Sequence, residues 1–594
     1  MTNYRKQAFV AAHSRITKSL YSAVRLRNDS DPKHILNAER SKLMATMTIV
    51  SFVFFTALVA IGTWWLTRNS DVDSDEGYFL AGRSLTGVFI AGSLLLTNLS
   101  TEQLVGLNGD SFKDGLSVMC WEVVAGISLV LLALVFLPRY LKSGIATIPQ
   151  FLEERYGRNV RALTAGIFIV AYMLILLPFV LFLGANGLNG MLGLHTKLGF
   201  TELQMIWILL VMIASLGGAY AIFGGLRAIA VSDTFNGAGL LTGGLMITYF
   251  SLKIVAGEEG GIMGAFEKIE AADPDAFHSL GTADESTHWP TLFTGVLLLN
   301  FFYWTTNQQI IQRTFGAKNL AEGQKGVLLA AFFKILAPMI LVLPGITAAY
   351  LVVTAQDPQM IESVGQLDDG QWNSSRAYGA LVARVLPEWL LGFFAAVVVG
   401  SVLSTFNSVL NSAATLFSLD VYKQYLNPSA SSQSVRRSGQ ICSFVVGVFA
   451  VIVAPLVFYG RGGVFSFFQG LNGVYFIPLA AVILMGMFNR FADGRSALIT
   501  ILVGLVFMIT GTFFSGGDGG WLASTFGSGF HYMGAVFAGL VVLQLGLSAA
   551  GLRRDEPYEQ QDAKLVDLTP WKPAPYVGGV LIVFALSVYI FFAF

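Results

Sequence analysis

Long apolar runs, each about the twenty residues needed to cross a bilayer, recur along the chain with short polar connections between them. They lie near 46–66, 84–109, 118–137, 161–184, 203–223, 229–252 and 290–312, and continue near 327–353, 387–413, 438–459, 463–487, 497–514, 531–547 and 574–593. Apolar residues fill these runs without the alternation of barrel strands. In hydrocarbon the backbone must then be satisfied within each segment, which means helices. The pattern predicts an all-α polytopic membrane protein of about fourteen transmembrane helices, with both termini on one side. Of the 37 Lys and Arg, 20 fall in the alternate connections 67–83, 138–161, 224–228, 313–326, 414–437, 488–496 and 548–573. The positive-inside rule makes that set cytoplasmic and both termini external. Residues 1–45 carry 9 further basic residues on the side so assigned as external. Phe9, Ile16, Leu20 and Val24 in that tail are loosely helical in spacing, and a solvated tail is the expectation.

Composition agrees with lipid as the main solvent: 54% of the 594 residues are apolar and 12% are charged, against about 25% charged in a soluble domain. Asp and Glu balance Lys and Arg at 37 each, so the basic surplus of a nucleic-acid binder is missing. Cys120 and Cys442, the 2 cysteines, sit in apolar runs and build neither a disulfide framework nor a four-ligand zinc site. No H-E-x-x-H motif or nucleophile–base constellation occurs in the spans, so an intramembrane enzyme is not expected.

Polar residues at mid-depth carry the remaining information. The second span is interrupted by Thr97-Asn98-Leu99-Ser100-Thr101-Glu102-Gln103, and the seventh by the stretch from Asn300 to Gln309. Each interrupted helix opens a block of five, the first running about 84–252 and the second about 290–487. Paired broken helices at matching positions of two halves point to a secondary-transporter site at the bilayer midplane. Four charges lie within or beside the spans: Glu102, Glu122, Asp233 and Lys334. Glu122 and Lys334 are expected to pair, whereas Glu102 and Asp233 could instead lie near a membrane surface. The ninth span contains Gly400-Ser401-Val402-Leu403-Ser404-Thr405-Phe406-Asn407-Ser408. Its hydroxyls, facing carbonyls freed by a broken helix, can ligate a hard cation such as sodium.

From Gly77-Tyr78-Phe79-Leu80-Ala81-Gly82-Arg83-Ser84-Leu85 to about residue 490 the sequence resembles the solute:sodium symporter family, most closely its bacterial sodium/galactose-type members. The resemblance rests on Asn98 to Gln103, on Thr147-Ile148-Pro149-Gln150-Phe151-Leu152-Glu153-Glu154-Arg155, and on Gly224-Gly225-Leu226 leading to Ser232-Asp233. It continues through Ile310-Ile311-Gln312-Arg313-Thr314 to Gln324-Lys325-Gly326, and through Leu410-Asn411-Ser412 to Asp420-Val421-Tyr422-Lys423. It implies a LeuT-like five-plus-five inverted repeat with additional helices. The chain then divides into a basic tail 1–45, an extra helix and loop 46–76, a first repeat 77–254, an extracellular loop 255–289, a second repeat 290–487 and extra C-terminal helices 488–594.

Carried over residue by residue, the resemblance implies sugar contacts at Asn98, Gln103, Glu122, Asn300, Lys334 and Gln469. It implies an inner gate at Tyr303 beside Trp304 and an outer gate at Leu107, Trp121 and Phe465. Trp121 and Ala125 stand where the galactose-type members have Tyr and Ser, which bears on which sugar is carried. The main sodium site maps to Leu96, Leu99, Ser401, Ser404 and Thr405. A second sodium site or exit path maps to Asp233 and Ser408, although Asn407 replaces a hydroxyl residue there. The expected activity is sodium-coupled import of a hexose-like sugar across a bacterial inner membrane by alternating access. The same fold carrying an inositol, an amino acid, a vitamin or sialic acid is the first alternative, and a membrane sensor is the second.

Overall fold

Each of the fourteen apolar runs is helical in the computed structural model, which describes residues 32–69, 74–257, 260–283, 285–367, 370–460, 464–515 and 520–593. The first helix, Pro32–Thr67, starts inside the segment expected as a tail; Phe9, Ile16, Leu20 and Val24 lie outside the described residues. Helix starts follow capping chemistry. Thr147 accepts from the Gln150 amide at 3.3 Å, Asn319 from Glu322 at 2.8 Å, and Thr201 with Gln204 forms a capping box, each satisfying an otherwise orphaned N–H.

The second and seventh spans are both interrupted. The second consists of Gly87–Asn98 and Thr101–Asp114, and the seventh of Gly295–Thr305 and Gln308–Phe315. At the first break the Ser100 amide turns to the Asn98 carbonyl at 2.7 Å instead of the carbonyl four residues back. The Ser100 hydroxyl caps the next half-helix through Glu102 N.

A third irregularity appears in the eighth span, where Leu320–Leu336 and Pro338–Val353 meet at 47°. Pro338 and Pro344 remove backbone donors there, and the second span adds bonds to the bend, Asn108 donating at 3.4 Å to the Ile340 carbonyl that Pro344 leaves. Asn108 accepts from Gly345 N at 2.8 Å, and Ser111 donates to the Val342 carbonyl at 3.0 Å. The two chains touch so closely that a Cβ on Gly345 would lie 2.1 Å from Ser111 Oγ and 2.2 Å from the Asn108 carbonyl oxygen.

The fifth and sixth spans depart from expectation. Instead of two helices separated by a loop at 224–228, helix is continuous from Glu202 to Ala256, 55 residues. A straight rod of that length would be roughly 80 Å, far beyond a hydrocarbon core of about 30 Å. Its two ends nevertheless meet the same end of the second span. Glu202 pairs with Arg376 at 2.6 Å in a helix whose first residue, Ser374, abuts Gly109. The Ala256 carbonyl accepts from Lys268 at 2.8 Å, close to Ala276, whose carbonyl accepts from Leu116 N. The arms Glu202–Gly218 and Leu226–Ala256 are therefore separate crossings. Between Gly217 and Val231 the sequence has no Pro to break the backbone ladder, and helix runs through Gly224-Gly225.

The basic-rich connections gather on one face. The extended segment after Gly551 crosses it: Arg554 N bonds Phe491 O, Tyr558 N bonds Arg490 O, Ala563 N bonds Lys142 O, and Asp567 O accepts from Leu320 N. Beneath it Arg161 pairs with Glu153 and with Asp420, the latter at 2.6 Å. The Glu-Glu-Arg and Asp-Val-Tyr motifs thus tie the fourth span to the ninth.

Candidate functional site

The two broken helices face each other across a narrow, nearly closed cavity of about 30 Å³, below the ~300–1,000 Å³ of an open small-molecule site. Asn98, Glu102 and Gln103 come from the second span, Trp121 and Glu122 from the third, and Asn300, Tyr303 and Trp304 from the seventh. Phe465, Phe468, Gln469, Asn472 and Phe476 come from the eleventh. Of the residues matched to sugar contacts, Asn98, Gln103, Glu122, Asn300 and Gln469 line the walls.

Lys334 lies behind them, fully buried. Its ammonium donates to Glu122 Oε2 and, at 2.5 Å, to Asn98 Oδ1, and it stands 5.3 Å from the Trp304 ring centroid. Asn98 donates onward to the Tyr303 hydroxyl at 3.2 Å, which also accepts from Gln309 at 3.3 Å. The third, second and seventh spans are thereby joined by one polar chain. Asn300 is bonded to its own helix at Val296 O, and Gln469 accepts from Asn472 at 3.0 Å. Glu102 Oε2 and Gln103 Oε1 are buried without a partner among the described residues. Such atoms cost about 1–3 kcal/mol each unless a donor reaches them.

Aromatic rings close the cavity. Trp121 meets Phe465 edge to face with centroids 5.8 Å apart, and Phe468 stacks on Phe179 at 3.7 Å. Phe465 fits because residue 106 is glycine; a Cβ there would lie 2.9 Å from its ring. Ser466, the next residue, donates to Asp110 at 3.0 Å. Leu107, expected at the outer gate, is buried in the apolar core and is absent from the cavity lining; Phe465 occupies that wall. Trp304 packs edge-on against Tyr303 at 5.3 Å.

The residues matched to the sodium site come together one turn below. Thr405 donates to the Thr97 carbonyl at 3.0 Å, which joins the ninth span to the broken stretch containing Leu96 and Leu99. Ser401 donates to Val398 O and lies 3.2 Å from the Thr101 hydroxyl. Ser404 donates to Asp233, whose other oxygen accepts from Ser93 at 2.6 Å, while Ser93 accepts from Arg313 at 2.9 Å. Asp233 is completely buried and Glu102 is 2% exposed, so both face the interior of the bundle. The Thr97 and Ser408 hydroxyls and Asn407 Oδ1 are buried without a partner among the described residues. Neutral oxygens of this kind suit a monovalent cation.

Several residues in or beside the walls carried no assigned role in the sequence. Glu102 was visible as an intramembrane charge, and Asn472 follows Gln469 by one helical turn, a spacing that could have identified it. Tyr172, whose hydroxyl donates to Asn307 at 2.7 Å and accepts from Gln309 N, left no sequence signal.

Comparison with known proteins agrees with this architecture. The family model for the sodium:solute symporter family matches residues 78–504. The chain is 41% identical over 545 residues to the uncharacterized symporter YidK of Escherichia coli (strain K12), covering 91% of this chain and 90% of that one. It is 31% identical over 477 residues to the sodium/glucose cotransporter of Vibrio parahaemolyticus, covering 78% and 85%. Among solved structures, the substrate-bound outward-open state of a Na+-coupled sialic acid symporter superposes with a TM-score of 0.69 at 19% identity, covering 86% of this chain and 99% of that one. The fold is therefore the LeuT-like inverted repeat with additional helices, in a multi-pass integral membrane protein. The chain belongs to the sodium:solute symporter family.

Proposed function

We propose that this protein is a sodium-coupled importer of a neutral, hydroxyl-rich solute of monosaccharide size. The observation that carries the reading is the balance of charge and hydrogen-bonding capacity in the cavity. Lys334 is already committed to Glu122 and Asn98, and the unpartnered groups, Glu102 Oε2 and Gln103 Oε1, are acceptors. A sugar offers hydroxyl donors to these, whereas a carboxylated solute would bring a second anion toward Glu102 without a spare cation. A site with unpaired acceptors discriminates strongly against solutes that lack the matching donors.

In this reading Asn98, Gln103, Glu122, Asn300 and Gln469 hold hydroxyls, and Lys334 fixes Asn98 and Glu122. Trp121 and Phe465 cover the outer approach; Tyr303 with Trp304 closes the inner one. Sodium is ligated by Leu96, Leu99, Ser401, Ser404 and Thr405, with Asp233 and Ser408 on a second site or exit path. Coupling requires that ion and sugar each bind the outward and inward states unequally, since equal affinity shifts nothing. Repeats at 77–254 and 290–487, a bacterial inner membrane and external termini complete the proposal.

The test is uptake of radiolabelled hexoses, with an inositol and sialic acid as comparison solutes, in proteoliposomes with and without an inward sodium gradient. Gradient-dependent accumulation of a hexose, abolished in Ser404→Ala/Thr405→Ala, is the expected result. Preference for sialic acid would overturn the solute assignment, and unchanged uptake by the double variant would overturn the ion assignment.

A further inference from the structure

The helix Gly529–Ala549 lies outside both repeats, yet it reaches three walls of the cavity. Its second residue, Phe530, meets the Trp121 ring with centroids 5.7 Å apart, on top of the Phe465 contact at 5.8 Å. Phe530 is pressed flush against the start of the seventh span: a Cβ on Gly295 would lie 2.7 Å from the Phe530 Cα. One turn on, Thr294 fits just as tightly against Gly534, 2.8 Å from its Cβ position, and Thr294 hydrogen-bonds His531 at 3.1 Å. On the other side Met533 enters a notch at Gly473, its Cε 2.5 Å from that Cβ position, one turn below Gln469. Two glycines on the repeats and one on the extra helix therefore admit this helix at contact distance. It touches the seventh span, the eleventh span and the indole of Trp121 together.

We infer that Phe530 is a positioning residue for the outer gate: it braces Trp121 from outside the repeats, so that the C-terminal helix sets the opening rate and solute selectivity of the cavity. Trp121 is gripped between Phe465, from the second repeat, and Phe530. Opening the outer approach requires the indole to leave one ring while keeping or losing the other. An aromatic pair at this separation, tilted by 59°, is worth a factor of about three to ten in the closed-to-open ratio. The inference rests on the solute site proposed above only in naming Trp121 as a gate; the contact itself is independent of what is carried.

The test therefore uses a solute-independent readout first. Gln103→Cys places a thiol on the cavity wall beneath Trp121, and its labelling by a membrane-impermeant maleimide from outside reports opening, with the parent protein as the background for Cys120 and Cys442. Phe530→Ala and, as a variant that keeps apolar volume, Phe530→Leu are expected to speed labelling about three- to tenfold. Phe530→Tyr is expected to restore the parental rate, and Val542→Ala, on the lipid-exposed face of the same helix, to leave it unchanged. In uptake assays the same two variants raise KM for the transported solute more than they change kcat. Equal labelling rates in Gln103→Cys with and without the Phe530 substitutions would overturn the inference, and so would failure of Phe530→Tyr to restore them. Labelling that responds while no hexose is taken up would leave the gate assignment standing and refute the solute assignment.

Discussion

Removing either member of the Glu122–Lys334 pair strands its partner in the interior, because both side chains are about 1% exposed. A buried charge left without its counterion costs about 3–5 kcal/mol. Lys334→Met also takes the donor from Asn98 Oδ1, now bonded at 2.5 Å, adding about 1–3 kcal/mol for an unsatisfied buried acceptor. The double variant Glu122→Gln/Lys334→Met removes both charges and leaves a neutral amide that can still donate to Asn98. Its stability should return to within about 2 kcal/mol of the parent, since replacing a whole buried pair is often close to neutral. The assay is unfolding of the four purified proteins in one detergent, analysed as a double-mutant cycle, beside sodium-driven uptake in proteoliposomes. Favourable coupling of at least about 5 kcal/mol, together with loss of uptake in all three variants, is expected. Coupling near zero would refute the buried-pair energetics, and full uptake by the double variant would show the pair to be scaffolding alone.

Two further substitutions probe close contacts. Gly345→Ala would drive a methyl into Ser111 Oγ and the Asn108 carbonyl, groups that satisfy the broken eighth span. Overpacking of this kind costs typically about 1–3 kcal/mol, and the variant should unfold at lower temperature in detergent by intrinsic fluorescence. Gly106→Ala pushes the Phe465 ring from its seat and should raise KM for external solute severalfold with little change in unfolding temperature, measured by uptake and melting side by side.

The crossings and the two matching breaks were legible because lipid admits no other solution: apolar run length fixes the number of helices, and polar residues at mid-depth mark where they break. Asn98, Gln103, Glu122, Asn300 and Gln469 were assigned through the family resemblance, and all of them reach one cavity. Other features were hidden for identifiable reasons. The bend at Pro338 is met by a distant span, where Asn108 accepts from Gly345 N and Ser111 donates to the Val342 carbonyl, a relation with no local signature. Continuous helix through residues 219–231 was hidden because Gly224-Gly225 and Arg227 read as a loop in the sequence. Leu107 lies in the apolar core beside Gly106, which makes room for an aromatic ring arriving from the other repeat. Phe530 is an ordinary apolar residue in an ordinary apolar run, and only its seat on Gly295 singles it out.

The Ser93 hydroxyl has a single hydrogen, and its surroundings decide where that hydrogen points. Arg313 can only give, so the serine must receive from it and hand its own hydrogen to Asp233. Asp233 receives a second one from Ser404. With its hydrogen held toward the carboxylate, the Ser404 oxygen turns its lone pairs the other way, as an electron-rich face for a cation. The Ser404 direction is thus set by the carboxylate itself, which Arg313 seats through Ser93, and Ser93→Ala should loosen that seat without removing a single ligand.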